Sequence, residues 1–330
     1  MPHDIALLGA GRIGRIHAAN LMAQPELCLR YVADASPGVA EALARSCGAQ
    51  VATVDAVLGD PDVAGVIIAT STDTHLDLAL RAHAAGKAIF CEKPVDLDLG
   101  RAVAAASDLA EARLFVGFNR RFDPSFAALE RRLRAGELGK LETLQIVSND
   151  PAPPPIDYVA RSGGLFKDMT IHDFDMARFL LGDEPVEVFA WGSCLVDPAI
   201  GGAGDIDTAR VMLKTANGAI CTIANSRRSG FGYDQRIEAF CSGGMISADN
   251  VTETTLRLWR QDGATGPALQ NFFLERYAAA FRAEMAHFAD VVTGRAQPMA
   301  RFADGIAALA LADAAARSMA TNAPVRLDRA

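Results

Sequence analysis

The sequence predicts two domains. The first is an N-terminal α/β domain on a doubly wound parallel sheet, and the second is a C-terminal α+β domain on an open, mainly antiparallel sheet with helices on one side. Three observations carry that expectation. An apolar strand at the start of the chain runs into a glycine loop and a helix. Strands and helices then alternate to about residue 121, and beyond Pro124 the pattern changes to period-two strands with hairpin signals. At 330 residues the chain exceeds the usual size of one hydrophobic core. The domains read as 1–121 and 122–330.

The opening unit is Ile5-Ala-Leu-Leu-Gly9-Ala-Gly11-Arg-Ile-Gly14, with a helix from Ile13 to Met22. Gly9 permits a tight turn, Gly11 lets the backbone approach a pyrophosphate, and Gly14 lets the helix pack close to the strand. The helix start offers free N–H groups and a partial positive charge to phosphates. A second apolar run, Leu27 to Ala33, ends at Asp34, placed to accept hydrogen bonds from a ribose hydroxyl. A glycine triplet alone predicts only a turn. Strand, loop, helix, strand and terminal Asp together predict a Rossmann-type dinucleotide site. The cofactor reads as NAD, because Asp34 repels a 2′-phosphate and Ala35, Ser36 and Pro37 supply no cation.

The next strands are Val63–Ala69, Ala88–Cys91 and Leu114–Phe118. The helices between them are Thr74–Ala85, ended by Gly86, and Leu99–Ala112. Ligands of such a sheet lie beyond the carboxyl ends of its strands. After Pro124, a helix (Phe126–Ala135) leads into the alternating run Lys140–Val147, and four prolines between Pro151 and Pro155 impose an extended loop. Strand-like runs follow at 186–196, 207–214, 219–226, 235–241 and 254–260, with hairpin or turn signals at Asn217-Gly218 and Gly243-Gly244. Tyr277, Phe281, Phe288 and Val291 form a helical stripe closing at Gly294, and an alanine-rich helix begins near Arg301. The uncovered face of the second sheet makes homo-oligomerisation an expectation, as a tetramer or a dimer.

Composition narrows the function. The formal charge of −8 and the lack of a basic patch interleaved with aromatics argue against nucleic acid. No apolar run approaches the ~18–20 residues needed to span a bilayer, and no signal-like segment opens the chain, so a cytoplasmic protein without a membrane partner is expected. The six cysteines (28, 47, 91, 194, 221 and 241) are scattered, with no C-x-x-C and no neighbouring histidine at metal-ligand spacing. They read as reduced thiols, and no metal site is expected.

Two groups of residues could do chemistry. Glu92-Lys93-Pro94 lies just past the strand Ala88–Cys91, on the ligand edge of the sheet; the plain alternative is a surface lysine before a loop proline. A cis peptide before Pro94 would aim Lys93 inward. In Gly163-Gly-Leu-Phe-Lys-Asp168-Met-Thr-Ile-His172-Asp-Phe-Asp175, Asp168 and His172 are i and i+4 and share a helix face. A carboxylate beside an imidazole fixes its tautomer and raises its basicity, which suits a general base. The plain alternative is a helix-start charge and an incidental histidine. Asp173 and Asp175 read as solvated or capping charges, and His3, His17, His83 and His287 as structural or exposed.

Taken together, the chain resembles the glucose–fructose oxidoreductase and inositol dehydrogenase (Gfo/Idh/MocA) family over essentially its whole length. The resemblance rests on Gly9-Ala-Gly-Arg-Ile-Gly14, Thr70-Ser-Thr-Asp-Thr-His75, Glu92-Lys-Pro94 and Asp168-x-x-x-His172. More specific stretches resemble its NAD-dependent inositol 2-dehydrogenase branch: Gly117-Phe-Asn-Arg-Arg-Phe-Asp123, Asp150-Pro-Ala-Pro-Pro-Pro155, His172-Asp-Phe-Asp-Met-Ala-Arg178, Leu195-Val-Asp-Pro-Ala-Ile200 and Gly232-Tyr-Asp-Gln-Arg236. The resemblance implies oxidation of a cyclitol or sugar hydroxyl with Lys93, Asp168 and His172 as the catalytic trio. It implies cofactor contacts from Gly9, Gly11, Arg12, Ile13, Gly14, Asp34, Thr70, Ser71, Glu92 and Lys93, with His75 supporting the cofactor loop. A polyol also needs many hydrogen-bond partners, for which Arg120, Asp150, Tyr233 and Tyr277 are candidates, Tyr277 being equally suited to core packing. Myo-inositol is the leading substrate and scyllo-inositol or an aldose the alternative. A non-catalytic NAD sensor would be free to lose the trio, and this chain keeps all three.

Overall fold

The computed structural model describes residues 2–327. The first sheet is built from β1 (His3–Leu8), β2 (Leu27–Ala33), β3 (Gln50–Val51), β4 (Val63–Ile68), β5 (Ala88–Cys91) and β6 (Leu114–Val116), in the order β3-β2-β1-β4-β5-β6. Every pairing in it is parallel. The connecting helices are α1 (Arg12–Met22), α2 (Pro37–Cys47), α3 (Val54–Gly59), α4 (His75–Ala84) and α5 (Leu99–Ala104). The strand order reverses between β1 and β4, so the loops after these two strands, Gly9–Gly11 and Ala69–Ser71, flank the crevice where such sheets bind ligands. The expected helix 99–112 ends early, at Ala104, with turns taking the chain on to β6.

The second sheet has seven strands in the order β12-β11-β7-β10-β9-β8-β15. These are β7 (Leu141–Asn149), β8 (Pro185–Ser193), β9 (Thr208–Thr215), β10 (Ile220–Ser226), β11 (Asp234–Cys241), β12 (Gly244–Ala248) and β15 (Val325–Arg326). It is antiparallel except where β10 runs parallel to β7. Its helices include α6 (Pro124–Arg134), α7 (Ile156–Val159), α8 (Ile171–Leu181) and α9 (Pro198–Gly202). Alternation is clean. Val211 and Leu213 of β9 and Cys221 and Ile223 of β10 are buried, while Arg210, Met212, Lys214 and Thr222 face outward. The expected strand 254–260 is mostly irregular. Only Leu258–Arg260 (β13) is a strand, and it pairs with Gly263–Thr265 (β14) in a separate two-stranded sheet.

The chain divides into two compact units, with one crossing close to the expected residue 121 and two further crossings near residues 280 and 310. One unit runs to Phe122 and takes in Ala280–Leu309; the other comprises Asp123–Ala279 and the described residues from Ala310 onward. The returning segment holds most of α11 (Ala278–Val292), which follows α10 (Phe273–Arg276), and the start of α12 (Phe302–Thr321). Its membership follows from packing. Phe288, fully buried, lies edge-on to Phe90 of β5 at 5.7 Å, and the Val116 N–H donates to the Ala300 carbonyl at 2.8 Å. The aromatic stripe of the sequence is therefore split, with Tyr277 in the second unit and Phe281, Phe288 and Val291 in the first.

Candidate active site

The glycine loop is built as its spacing predicts. Gly9 adopts φ +97°, and a Cβ there would sit 2.3 Å from the Ala69 carbonyl oxygen. A Cβ on Gly14 would fall 2.0 Å from the Gly9 carbonyl, so only glycine lets α1 approach β1 this closely. Gly11 differs, because its Cβ would meet nothing within 4 Å. It is the N-cap of α1 and has no side-chain cap, leaving first-turn N–H groups for an anion. Asp34, just past β2, accepts from Ala10 N–H (2.7 Å) and Ser36 N–H (2.8 Å), which fixes its carboxylate beside the loop. Open space at Gly11, an uncapped helix start and an anchored acid at the strand end fit NAD.

Around that crevice, Arg12 is exposed at the first position of α1 and Ile13 is half-buried. The Thr70 hydroxyl lies 2.7 Å from that of Thr74, and exposed Ser71 stands at the N-cap position of the short 3₁₀ turn Thr72–Thr74 without a side-chain cap bond. His75 is buried, its ring nitrogens reaching the carbonyls of Pro94 (2.8 Å) and Thr70 (3.2 Å), so it braces both loops. The Lys93–Pro94 peptide is cis. Behind Lys93, Glu92 bonds to His17 of α1 at 2.6 Å. Burial pushes the Glu92 carboxyl up, but the hydrogen bond and charge of His17, with Lys93 and His75, outweigh it and hold it below the usual carboxylate range. Buried Glu284 of α11 goes the other way, pushed well above that range by burial and by the Glu92 charge.

In the second unit, Asp168 lies on a π-helical turn, Phe166–Thr170, and His172 on the first turn of α8. The predicted i, i+4 pair therefore straddles a π–α junction, a geometry frequent at functional sites. The Asp168 oxygens take separate donors, Tyr158 O–H on Oδ1 at 2.8 Å and both terminal nitrogens of Arg227 on Oδ2 at 3.3 Å. Asp173 and Asp175 are buried, contrary to the solvated role expected from the sequence. Asp173 accepts from Asn225 Nδ2 at 2.8 Å, and Asn225 also takes the Thr170 hydroxyl at 2.8 Å. That strand-borne amide is what makes an inward acid on α8 tolerable.

The polyol candidates spread over several elements of the second unit and the end of the first. Arg120 is buried in the 3₁₀ turn Asn119–Phe122, and half-buried Asp150 follows β7, its N–H donating to the Ser226 carbonyl. Tyr233 and Tyr277 are brought together, edge to face at 6.0 Å, and the buried Tyr277 hydroxyl donates to Gln235 at 3.0 Å. Sequence reasoning reads His17 only as structural or exposed and gives no role to Glu284, Tyr158 or Arg227. Two of them carry a readable sign. His17 is a polar residue on the buried stripe Gly14, His17, Ala18, Leu21 of α1. The inward parity of β10, Cys221-x-Ile223-x-Asn225, extends to Arg227, so its buried positions turn polar at one end.

Comparison with known proteins agrees with this architecture. Residues 3–118 match the family described as "Oxidoreductase family, NAD-binding Rossmann fold", and residues 126–247 match the "GFO/IDH/MocA C-terminal domain". The inositol 2-dehydrogenase of Rhizobium meliloti (strain 1021) is 49% identical over 323 residues, covering 97% of this chain and 98% of its own. The crystal structure of a myo-inositol dehydrogenase from Corynebacterium glutamicum superposes with a TM-score of 0.95 at 44% identity, over 100% of both chains. A scyllo-inositol dehydrogenase from Lactobacillus casei, solved with NAD(H) and scyllo-inositol, gives 0.91 at 26% identity over 99% of each chain.

Proposed function

The chain belongs to the Gfo/Idh/MocA family of oxidoreductases, and from that footing we propose that it is an NAD-dependent inositol 2-dehydrogenase, oxidising the 2-hydroxyl of myo-inositol to the ketone 2-keto-myo-inositol (scyllo-inosose). The observation that carries the reading is the retention, in one chain, of the glycine loop with anchored Asp34, the Glu92-Lys93-Pro94 turn and the Asp168/His172 pair. Myo-inositol is favoured over scyllo-inositol because relatives named for myo-inositol reach 44% identity with this chain, against 36% for a relative named as a scyllo-inositol 2-dehydrogenase.

NAD, when bound, supplies the hydride acceptor. His172 takes the proton of the reacting hydroxyl as a general base. Asp168 orients that imidazole and stabilises it once charged, while Lys93 donates to the reacting oxygen and favours its developing negative charge. Arg120, Asp150, Tyr233 and Tyr277 hold the remaining hydroxyls. The cofactor residues are the loop glycines, Arg12, Ile13, Asp34, Thr70, Ser71, Glu92 and Lys93, braced by His75, and the second unit carries most of the substrate-binding residues and the association.

Exposed Trp191, Met212, Phe240 and Met245 on the outward face of the second sheet support a homo-oligomer formed through it. No helix among the described residues is long and apolar enough to cross a membrane, and six free cysteines suit a reducing cytoplasm. The test is NADH formation at saturating NAD with myo-inositol, scyllo-inositol and glucose in parallel. Turnover of myo-inositol with the highest kcat/KM is expected; absence of NADH with either cyclitol would remove the assignment.

A further inference from the structure

Arg227 is among the largest fully buried side chains of the protein, and burying a guanidinium is costly unless its charge is used. Its backbone is fixed at the end of β10, where its N–H donates to the Asp207 carbonyl at 2.8 Å. Its side chain meets two acids, Asp168 at 3.3 Å and Asp205 at 3.8 Å. Asp205 in turn accepts from Leu165 N–H at 3.0 Å, at the residue that leads into the π turn. The turn carrying Asp168 is thus held at its start by Asp205 and at its acid by Arg227. Tyr158, on α7 directly after the proline loop, takes the other Asp168 oxygen at 2.8 Å. With a donor on each oxygen, the carboxylate plane cannot rotate without losing one of them.

We propose that Arg227 and Tyr158 are positioning residues for the reaction: together they fix the plane of the Asp168 carboxylate, and through it the imidazole of His172. The inference rests on the reading of Asp168 as the orienter of His172. Neither residue touches substrate in this scheme. Arg227 supplies a permanent charge in a rigid planar fork, which lysine reproduces only in part. Tyr158 supplies one neutral hydrogen bond from a side chain that is half exposed, so its removal leaves the core intact.

The test is steady-state kinetics of Arg227→Gln, Arg227→Lys and Tyr158→Phe, each alone and combined with Asp168→Asn. Arg227→Gln should lower kcat ~10- to 100-fold, by analogy with the loss of partners that orient metal-binding histidines, with KM for NAD unchanged. Arg227→Lys should recover part of the loss, and Tyr158→Phe should cost kcat a few-fold. On the Asp168→Asn background the same changes should cost little, because their route to His172 is already cut. A merely structural arginine predicts the opposite, an undiminished loss on that background, and this would overturn the inference. So would wild-type kcat in both Arg227→Lys and Tyr158→Phe, variants that keep the buried charge and the fold. An Asp168→Asn enzyme with wild-type kcat would remove Asp168 from the mechanism, a failure of the parent reading seen before Arg227 is altered.

Discussion

The two units hold their candidate groups by different means. In the first, position is set by backbone: Gly9 and Gly14 admit carbonyl approaches that any side chain would block, and His75 reaches two loop carbonyls. In the second, position is set by buried polar side chains from distant parts of the chain, Arg227 on Asp168, Asn225 on Asp173, and Gln235 between Ser148 and Tyr277. Backbone geometry leaves a local mark, glycine at fixed spacing. A side-chain network spread over strands leaves almost none. The contrast also predicts different failures: changes at the close-packed glycines of the first unit, Gly9 and Gly14, should cost cofactor binding and folding together, whereas changes in the second can separate rate from binding.

The largest effect tests that separation. His172→Ala should lower kcat by ~10²–10⁴, the usual worth of a positioned general base, while the NAD dissociation constant measured by fluorescence titration stays near wild type. Near wild-type turnover of inositol by a folded His172→Ala protein would remove His172 from the mechanism. Next, Gly14→Ala forces a methyl against the Gly9 carbonyl and should cost about 3 kcal/mol of stability together with NAD binding. Gly11→Ala meets no protein atom and should melt normally, losing only the thermal shift that NAD confers. Equal melting temperatures for the two variants would break the comparison.

Asp207 sharpens it from the other side. Burial pushes its carboxyl up, but the N–H groups of Leu195, Asp197 and Val196 and the Thr208 hydroxyl outweigh this and hold it at about 2. A folded value below the unfolded one means stability present above pH ~4 and lost as pH falls towards 2, roughly 2 kcal/mol in all. Asp207→Asn should lose about that much at pH 7 and flatten acid unfolding over this window in urea titrations. Unchanged acid unfolding would show that the turn at Leu195–Asp197 does not depend on the charge.

A smaller effect concerns cofactor choice, since Asp34→Ser should weaken NAD by about tenfold, one lost charged hydrogen bond, and leave NADP no better bound in absolute terms. Equal wild-type kcat/KM for NAD and NADP would exclude Asp34 as the selector. The smallest is a sign. Burial first, then the Glu92 charge, raises the Glu284 carboxyl, so its contribution is present at low pH and lost as pH rises past the ordinary glutamate value. Glu284→Gln should therefore hold its melting temperature better than wild type between pH 6 and 8.

What could be read from the sequence follows the same division. The glycine loop, Asp34, the β-α alternation and the period-two strands of the second sheet are local patterns, and the structure has them. The acids of α8 are the instructive miss. Asp173 looks like a surface charge until Asn225, 52 residues later, is folded against it. A spacing of four fits an α-helix or a π turn, so the junction between Asp168 and His172 has no sequence signature. The return of Phe288 to the first core is equally silent, because an amphipathic helix does not state which core it covers.

That return has a consequence for the order in which the protein is made. A ribosome releases the glycine loop and all six strands of the first sheet before it reaches residue 122, yet Phe288, one of the rings packed edge-on against Phe90, emerges some 170 residues later. Until then the young sheet carries an uncovered hydrophobic face, and the intervening unit must be threaded out first. A fragment ending at 121 should consequently bind apolar dyes and aggregate, and adding residues 280–309 as a separate peptide should lower the dye signal. The dinucleotide half thus begins to be synthesised before the second unit and is finished only after most of that unit has emerged.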